Sequence, residues 1–195
     1  MMRYIYFVFI IIMKKQEVQQ RVLQNGKLID LAKFNWCELT NTFSTLESNL
    51  VLAFSNINNC TFTTGDFCTF TTGGGCTFKT GSDCTFTAED CCTFTTWSRC
   101  TFKTGSDCTF KTGYSCTFTT EHSCIFTTWS DCIFTTWSDC TFTTGSRCTF
   151  TTGSECVCVR RDIFEFFQIP INTTIKLNKH ETKGFEILET KETAI

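Results

Sequence analysis

Neither sign of charge dominates this chain. Seventeen Lys and Arg face nineteen Asp and Glu, a formal net charge of −2. There is no basic surplus to attract nucleic acid and no acidic block to repel it, so no nucleic-acid partner is expected. Histidine is scarce too: His122 and His180 are isolated and match no familiar zinc-ligand spacing. Proline occurs once, at Pro170. Glycine-rich phosphate loops are missing, since Gly73-Gly74-Gly75 falls in a repeat corner. Asp and Ser are plentiful, but they concentrate in turns, and no catalytic constellation emerges. The expectation is a protein that is not an enzyme and carries no cofactor and no metal.

Long apolar runs are also lacking. The run Tyr4 to Met13 stops at ten residues, short of the ~20 that a spanning helix needs. It follows Arg3 as a signal-peptide core would, yet no small-residue cleavage site comes after it. Residues 1–12 therefore keep three readings. They are an upstream extension ahead of a start at Met13-Lys14-Lys15-Gln16, a membrane anchor, or an atypical signal. A membrane association is expected only if they are retained as an anchor.

What is present is a repeat. The chain holds 16 Cys and 22 Phe, and most of them fall in one register. Cys60, Cys68, Cys76 and every eighth residue to Cys148 open an octad, and the third position, Phe62 to Phe150, is Phe throughout. The fifth position is Thr except at Ala88, and the sixth is Gly, Glu or Trp. Leu52-Ala53-Phe54 before the run, and Cys156-Val157-Cys158 and Phe164-Glu165-Phe166 after it, are imperfect octads. In a strand, alternate residues face opposite sides. Cys, Phe and the fifth-position Thr then share one face. The second and fourth positions share the other, which must be wet because it accepts Lys79, Lys103 and Lys111. Gly-Ser-Asp and its variants turn the chain, Gly by admitting positive φ and Asp or Ser by bonding nearby backbone. Strand and corner repeated without helices make an all-β fold, a parallel β-solenoid.

Charge bears on the size of the coil. With two octads per turn, Asp83 stacks beside Arg99 and Asp131 beside Arg147, and Asp139 beside Glu155 is the one clash. With three, Asp83, Asp107, Asp131 and Glu155 form a carboxylate column and Lys79 meets Lys103. Opposite charges across a ladder stabilise and like charges destabilise, so a coil of two repeats is preferred. The twelve octads then make six turns, roughly 29 Å of rod.

The same geometry bears on the cysteines. An even count in a secreted chain suggests disulfides, but side chains stacked one turn apart stand about 4.8 Å from each other. That exceeds the usual Cβ separation in a disulfide. Buried free thiols are the preferred reading, ahead of disulfides and then metal, with Cys91 of the Cys91-Cys92 doublet the most exposed. A reducing, cytoplasmic setting follows from that preference, although residues 1–12 leave membrane-associated and secreted settings open.

Caps flank the run. Residues 13–50 form an N-terminal cap, with a helix expected over Lys15 to Gln24 and a stop at Asn25-Gly26. Leu28 to Leu50, carrying Trp36, Phe43 and Leu46, covers the first open edge. The solenoid occupies 51–163. Residues 164–195 form a C-terminal β cap, with Thr173 to Leu177 and Gly184 to Glu189 as a hairpin around Asn178-Lys179-His180. Open parallel edges need such covers.

The Cys-Thr-Phe-x-Thr-Gly octads lie between a Lys-Lys-Gln-Glu-Val-Gln-Gln-Arg-Val-Leu-Gln-Asn-Gly-Lys opening and a Cys-Val-Cys-Val-Arg-Arg-Asp close. This pattern resembles octapeptide-repeat proteins of bacteria and phages, over residues 13 to about 190. That group brings no known activity, so the resemblance implies a phage descent but no chemistry. The Cys-Thr-Phe triplet is loosely similar to the inward pair of pentapeptide-repeat β-solenoids, some of which mimic DNA. The eight-residue repeat departs from that pattern, and Cys60 to Cys156 carries nine acidic against five basic residues, far short of a duplex mimic.

Two surfaces are candidates for function. Trp97, Trp129 and Trp137 occupy corner positions usually held by Gly. Trp97 and Trp129 share one edge two turns apart, and Trp137 lies on the other. Exposed Trp marks a protein partner or a sugar site, unless the rings lie flat over their own turns. Outward threonines, among them Thr69, Thr71, Thr85, Thr87, Thr117 and Thr119, form a lattice like those of ice-binding solenoids, broken by Lys103 and Ile133. Threonine is also simply a good strand residue. The preferred function is a non-enzymatic scaffold or protein-interaction module, with another protein or a second copy as partner. The alternatives are a binder of a repetitive ligand, ice or polysaccharide, or a nucleic-acid mimic.

Overall fold

A computed structural model describes residues 13–190; the three readings of residues 1–12 lie outside the described residues. The chain winds into a parallel β-solenoid of about seven turns. Each turn gives one strand to an eleven-stranded sheet and one to a ten-stranded sheet. Pairing is parallel and advances by two octads. Phe102 in Thr101–Lys103 lies between Phe86 and Phe118, and Phe110 in Thr109–Lys111 lies between Phe94 and Phe126. The charge argument holds in detail. Arg99 donates from Nε and Nη2 to the two carboxylate oxygens of Asp83 at 2.8 and 2.7 Å. Arg147 does the same to Asp131, both at 2.7 Å.

Inside and outside fall as the period of two requires. Phe110 has no exposed surface, and its neighbours Cys108 and Thr112 are buried, while Thr109 and Lys111 face water. The Phe rings make two columns. Phe110 stacks parallel to Phe94 at 4.9 Å and to Phe126 at 4.8 Å. It also meets Phe102 and Phe118 of the facing sheet edge-on, at 5.2 Å and 73–75°. Each ring thus satisfies both geometries that the aromatic quadrupole favours, at about 0.5–1.5 kcal/mol per pair beyond simple burial. No smaller apolar residue could fill the gap and keep four such contacts.

The corners work differently from the expectation that Gly supplies positive φ. The left-handed residue is the eighth of the octad, as in Asp83, Arg99, Asp107 and Asp131, with φ of 56–64°. Asp and Asn tolerate that region better than most residues. The sixth-position Gly is there for space. At Gly81 and Gly105 an added Cβ would come within 2 Å of the Asp66 or Asp90 carboxylate. Those carboxylates accept from the backbone N–H of Ser82 and Ser106 in the next turn at 2.7 Å. Ser98 and Ser130 cap Tyr114 and Ser146 in the same way, beside Gly113 and Gly145, at 3.0 and 3.1 Å. Where Trp97 or Glu121 replaces Gly, the equivalent bond stretches to 3.3 Å. Asp, Asn and Ser at the seventh position therefore form a ladder along the rod rather than a local turn.

Both ends are sealed by antiparallel strands. The expected helix over Lys15 to Gln24 runs only over Lys15–Gln19. Five residues cannot sustain a helix alone, and Val22–Gln24 pairs antiparallel with Leu50–Phe54, covering an edge that would otherwise stay open. The coil itself begins before the octads, because Thr42–Ser44 already pairs in parallel with Thr61–Thr63. There Phe43 occupies the Phe position, and Phe34 stacks on it at 5.1 Å. Leu46, in the segment expected to cover the first open edge, is 97% exposed. At the other end Glu165–Gln168 pairs antiparallel with Val157–Arg160, and the hairpin of Thr173–Leu177 with Phe185–Thr190 closes the larger sheet. Among the described residues no helix is long and apolar enough to cross a membrane.

Candidate functional site

The rod has two flat faces and two edges, and its edges differ in chemistry although they share a backbone. One edge carries the corners 81–83, 97–99, 113–115, 129–131, 145–147 and 161–163. Asp83 is paired with Arg99 and Asp131 with Arg147, and Asp162 is held by Arg160 at 2.6 Å. Asp66, in corner 65–67 of the same edge, accepts from the Ser82 N–H and makes no ion pair among the described residues. The Arg99 guanidinium holds the Asp83 carboxyl below its ordinary range, and Arg147 does the same for Asp131. The opposite edge carries Glu89, Asp90, Asp107, Glu121, Asp139 and Glu155, with no Lys or Arg in any of its corners.

Trp97 and Trp129 share the ion-paired edge, as their spacing requires. A backbone ladder links them through Gly113, whose N–H donates to the Trp97 carbonyl at 3.1 Å and whose carbonyl accepts from Trp129 at 3.4 Å. Trp97 is 72% exposed. Trp129 is half covered: Tyr114 lies against it at 5.3 Å and the Arg161 guanidinium sits over its ring at 4.9 Å. Beside Trp129 is a groove of about 370 Å³ lined by Tyr114, Thr128, Trp129, Ser130, Gly145, Arg161, Asp162 and His180. Trp137 stands on the acidic edge, 65% exposed, edge-on to His122 at 5.4 Å. The three tryptophans are thus not brought together.

The threonines singled out from the sequence lie where expected, on the outer face of the eleven-stranded sheet. Thr69, Thr85 and Thr117 belong to one column, and Thr71, Thr87 and Thr119 to the next. Lys103 and Ile133 interrupt the columns between strand neighbours.

The sixteen cysteines carry no disulfide. Fourteen are buried, and Cys37 and Cys91 are exposed. Most thiols in the columns have two carbonyls within reach of their single S–H, as Cys116 has those of Trp97 and Tyr114, both at 3.6 Å. Cys84 and Cys100 are raised to about 11 by a hydrogen bond to the thiol one turn on and by burial. Burial pushes Cys158 up to about 12.

Arg160 is the residue that sequence reading missed. It takes the inward fifth position of the last octad and has no exposed surface. Its guanidinium donates to both Asp162 oxygens and to the carbonyls of Thr182 and Lys179, at 2.6 to 3.3 Å. One buried cation thus ties the C-terminal hairpin to the last coil. The signal was a charge at a position otherwise held by Thr or, once, Ala88, followed two residues later by Asp. Tyr114, Arg161 and His180 were also missed, because only the folded edge brings them to Trp129.

Fold and edges together define a capped parallel β-solenoid with one aromatic, charge-balanced edge and one acidic edge. No family model, no curated protein and no solved structure matches the chain.

Proposed function

We propose that the chain is a non-enzymatic scaffold, a protein-interaction module of the octapeptide-repeat kind that its sequence resembles, working in a reducing compartment. The observation that carries this reading is the strict coil-to-coil register, which sets outward side chains in straight columns on two flat faces. Phe columns within and antiparallel strands at both ends stiffen those faces. A surface of that kind binds by presenting a long preorganised array rather than by closing around a small molecule. The test is a pull-down with the capped rod as bait, repeated with Thr119→Arg on one face and Thr127→Arg on the other. A partner lost with one substitution only supports the module. A partner retained by both variants, or none at all, contradicts it.

One observation favours a second reading. The Thr columns on the larger sheet form a hydroxyl and methyl lattice of the kind ice-binding solenoids use. Lys103 and Ile133 break that lattice, so thermal hysteresis no greater than a control protein's is expected. A freezing gap abolished by Thr119→Tyr would transfer the face to ice. A nucleic-acid mimic fits less well, since six carboxylates in file on one edge do not make two strands of phosphate.

A further inference from the structure

We propose that the edge formed by Trp97, Tyr114 and Trp129 binds an uncharged, extended oligosaccharide, with Arg161, Asp162 and His180 holding its hydroxyls at one end. The proposal goes beyond the scaffold reading, and it stands or falls whether or not a protein occupies the flat faces.

Four observations carry it. First, the aromatic surface is exposed but arranged: Trp97 and Trp129 occupy one backbone column, two turns or about 9.6 Å apart, with Tyr114 set between them. That is close to the length of a disaccharide unit in an extended β-linked chain, whose sugar rings present C–H faces to aromatic platforms. Second, two carboxylates of this edge are paired, Asp83 with Arg99 and Asp131 with Arg147. Asp66 and Arg161, which have no ion pair among the described residues, are of opposite sign and lie at the two ends of the edge, so a charged ligand meets no block of one sign, in contrast to the acidic edge.

Third, the groove beside Trp129 offers both halves of a hydroxyl's needs. Asp162 accepts, fixed by Arg160 at 2.6 Å and by His180 at 3.4 Å. Arg161 donates, its guanidinium steered over Trp129 at 4.9 Å. Fourth, the corner backbone has no free ladder to lend a peptide. Gly113, Trp129 and Gly145 each donate to the carbonyl of the preceding turn, at 3.1 to 3.4 Å. Strand addition needs an open edge, so recognition here falls to side-chain stacking and hydroxyl bonding, the chemistry that suits a glycan.

The test titrates the full chain with cellohexaose and chitohexaose, extended β-linked hexaoses, and with maltohexaose, whose α-linked chain curls. Calorimetry and tryptophan fluorescence read the binding. The proposal expects saturable binding of an extended hexaose, weaker binding of maltohexaose, and a loss of about tenfold in Trp129→Ala, the effect of one stacked ring. Trp129→Phe should recover most of that loss with an unchanged melting temperature, which separates stacking from folding. Leu39→Ala, an exposed apolar residue in the N-terminal cap, should bind as the parent does. Silence from both extended hexaoses, or equal losses in Trp129→Ala and Leu39→Ala, overturns the proposal. Binding of a Trp- and Tyr-bearing decapeptide without either hexaose also overturns it, in favour of a peptide site.

Discussion

The inner and outer sides of the same strands obey different rules. Inward, the twelve octads opened by Cys60 to Cys148 all repeat Phe, and each ring in the middle of the rod touches four others. Outward, Thr, Lys and Ile exchange freely at neighbouring rungs of one column, as in Thr87, Lys103 and Thr119. A ring that packs against the turns before and after it cannot change alone, whereas an outward side chain answers mainly to water. Sequence strictness therefore maps packing, and drift maps solvent.

The sharpest way to break that contrast is to empty one rung. Phe110→Ala should destabilise by about 3–5 kcal/mol, as for a buried aromatic, measured by denaturant melts. Its outward counterpart Thr119→Ala should cost well under about 1 kcal/mol. Comparable losses would erase the distinction.

The corners should fall between these extremes. Gly105→Ala puts a Cβ against the Asp90 carboxylate, which is bonded to the Ser106 N–H, and should cost about 1–2 kcal/mol. Asp90→Ala in the same background should relieve the clash, so the two substitutions together should cost less than their sum. Strict additivity in that cycle would mean the glycine serves some other purpose.

At neutral pH the thiols probe the contrast without perturbing it. Native protein should show two reactive cysteines, Cys37 and Cys91, and unfolding without reductant should release the remainder. Cys37, hydrogen-bonded to Thr40, has its pKa lowered, so its reaction should rise at lower pH than that of a free-cysteine standard. Three of the buried thiols act in the opposite sense. Cys84, Cys100 and Cys158 are raised to about 11–12, so the unfolded chain ionises first as pH rises. Their contribution to stability is full below an ordinary thiol pKa and is lost as pH rises through 11 to 12. Alkaline melts that show no loss across that window would place the thiols in water.

Much of this was legible in the sequence because a repeat states the same physics many times. Period two separated Phe62 from Thr61 and Thr63, and the alternation of Asp83 with Arg99 chose the sixteen-residue coil. What depended on a contact between turns was harder to see. Nothing local told that Gly105 makes room for Asp90, fifteen residues earlier, or that facing Phe columns meet edge-on. The helix after Lys15 ended early because Val22 is buried against Leu52 across a strand ladder, a tertiary demand that local helical spacing does not register. Trp97 and Trp129 could be placed on one edge, but the groove beside Trp129 depends on Arg161 in the last corner and on His180, which arrives from the cap.

The coil register itself is the claim on which the columns, the edges and the proposed site all rest. Nuclear Overhauser contacts from backbone amides measure it directly. The Thr117 N–H donates to the Cys100 carbonyl at 2.9 Å, and the Thr109 N–H to that of Cys92 at 2.9 Å. Contacts from the Thr117 amide to Cys100 and from the Thr109 amide to Cys92 are therefore predicted. Contacts from Thr117 to Cys92 and from Thr109 to Cys84 instead would show a coil of three octads and contradict the account.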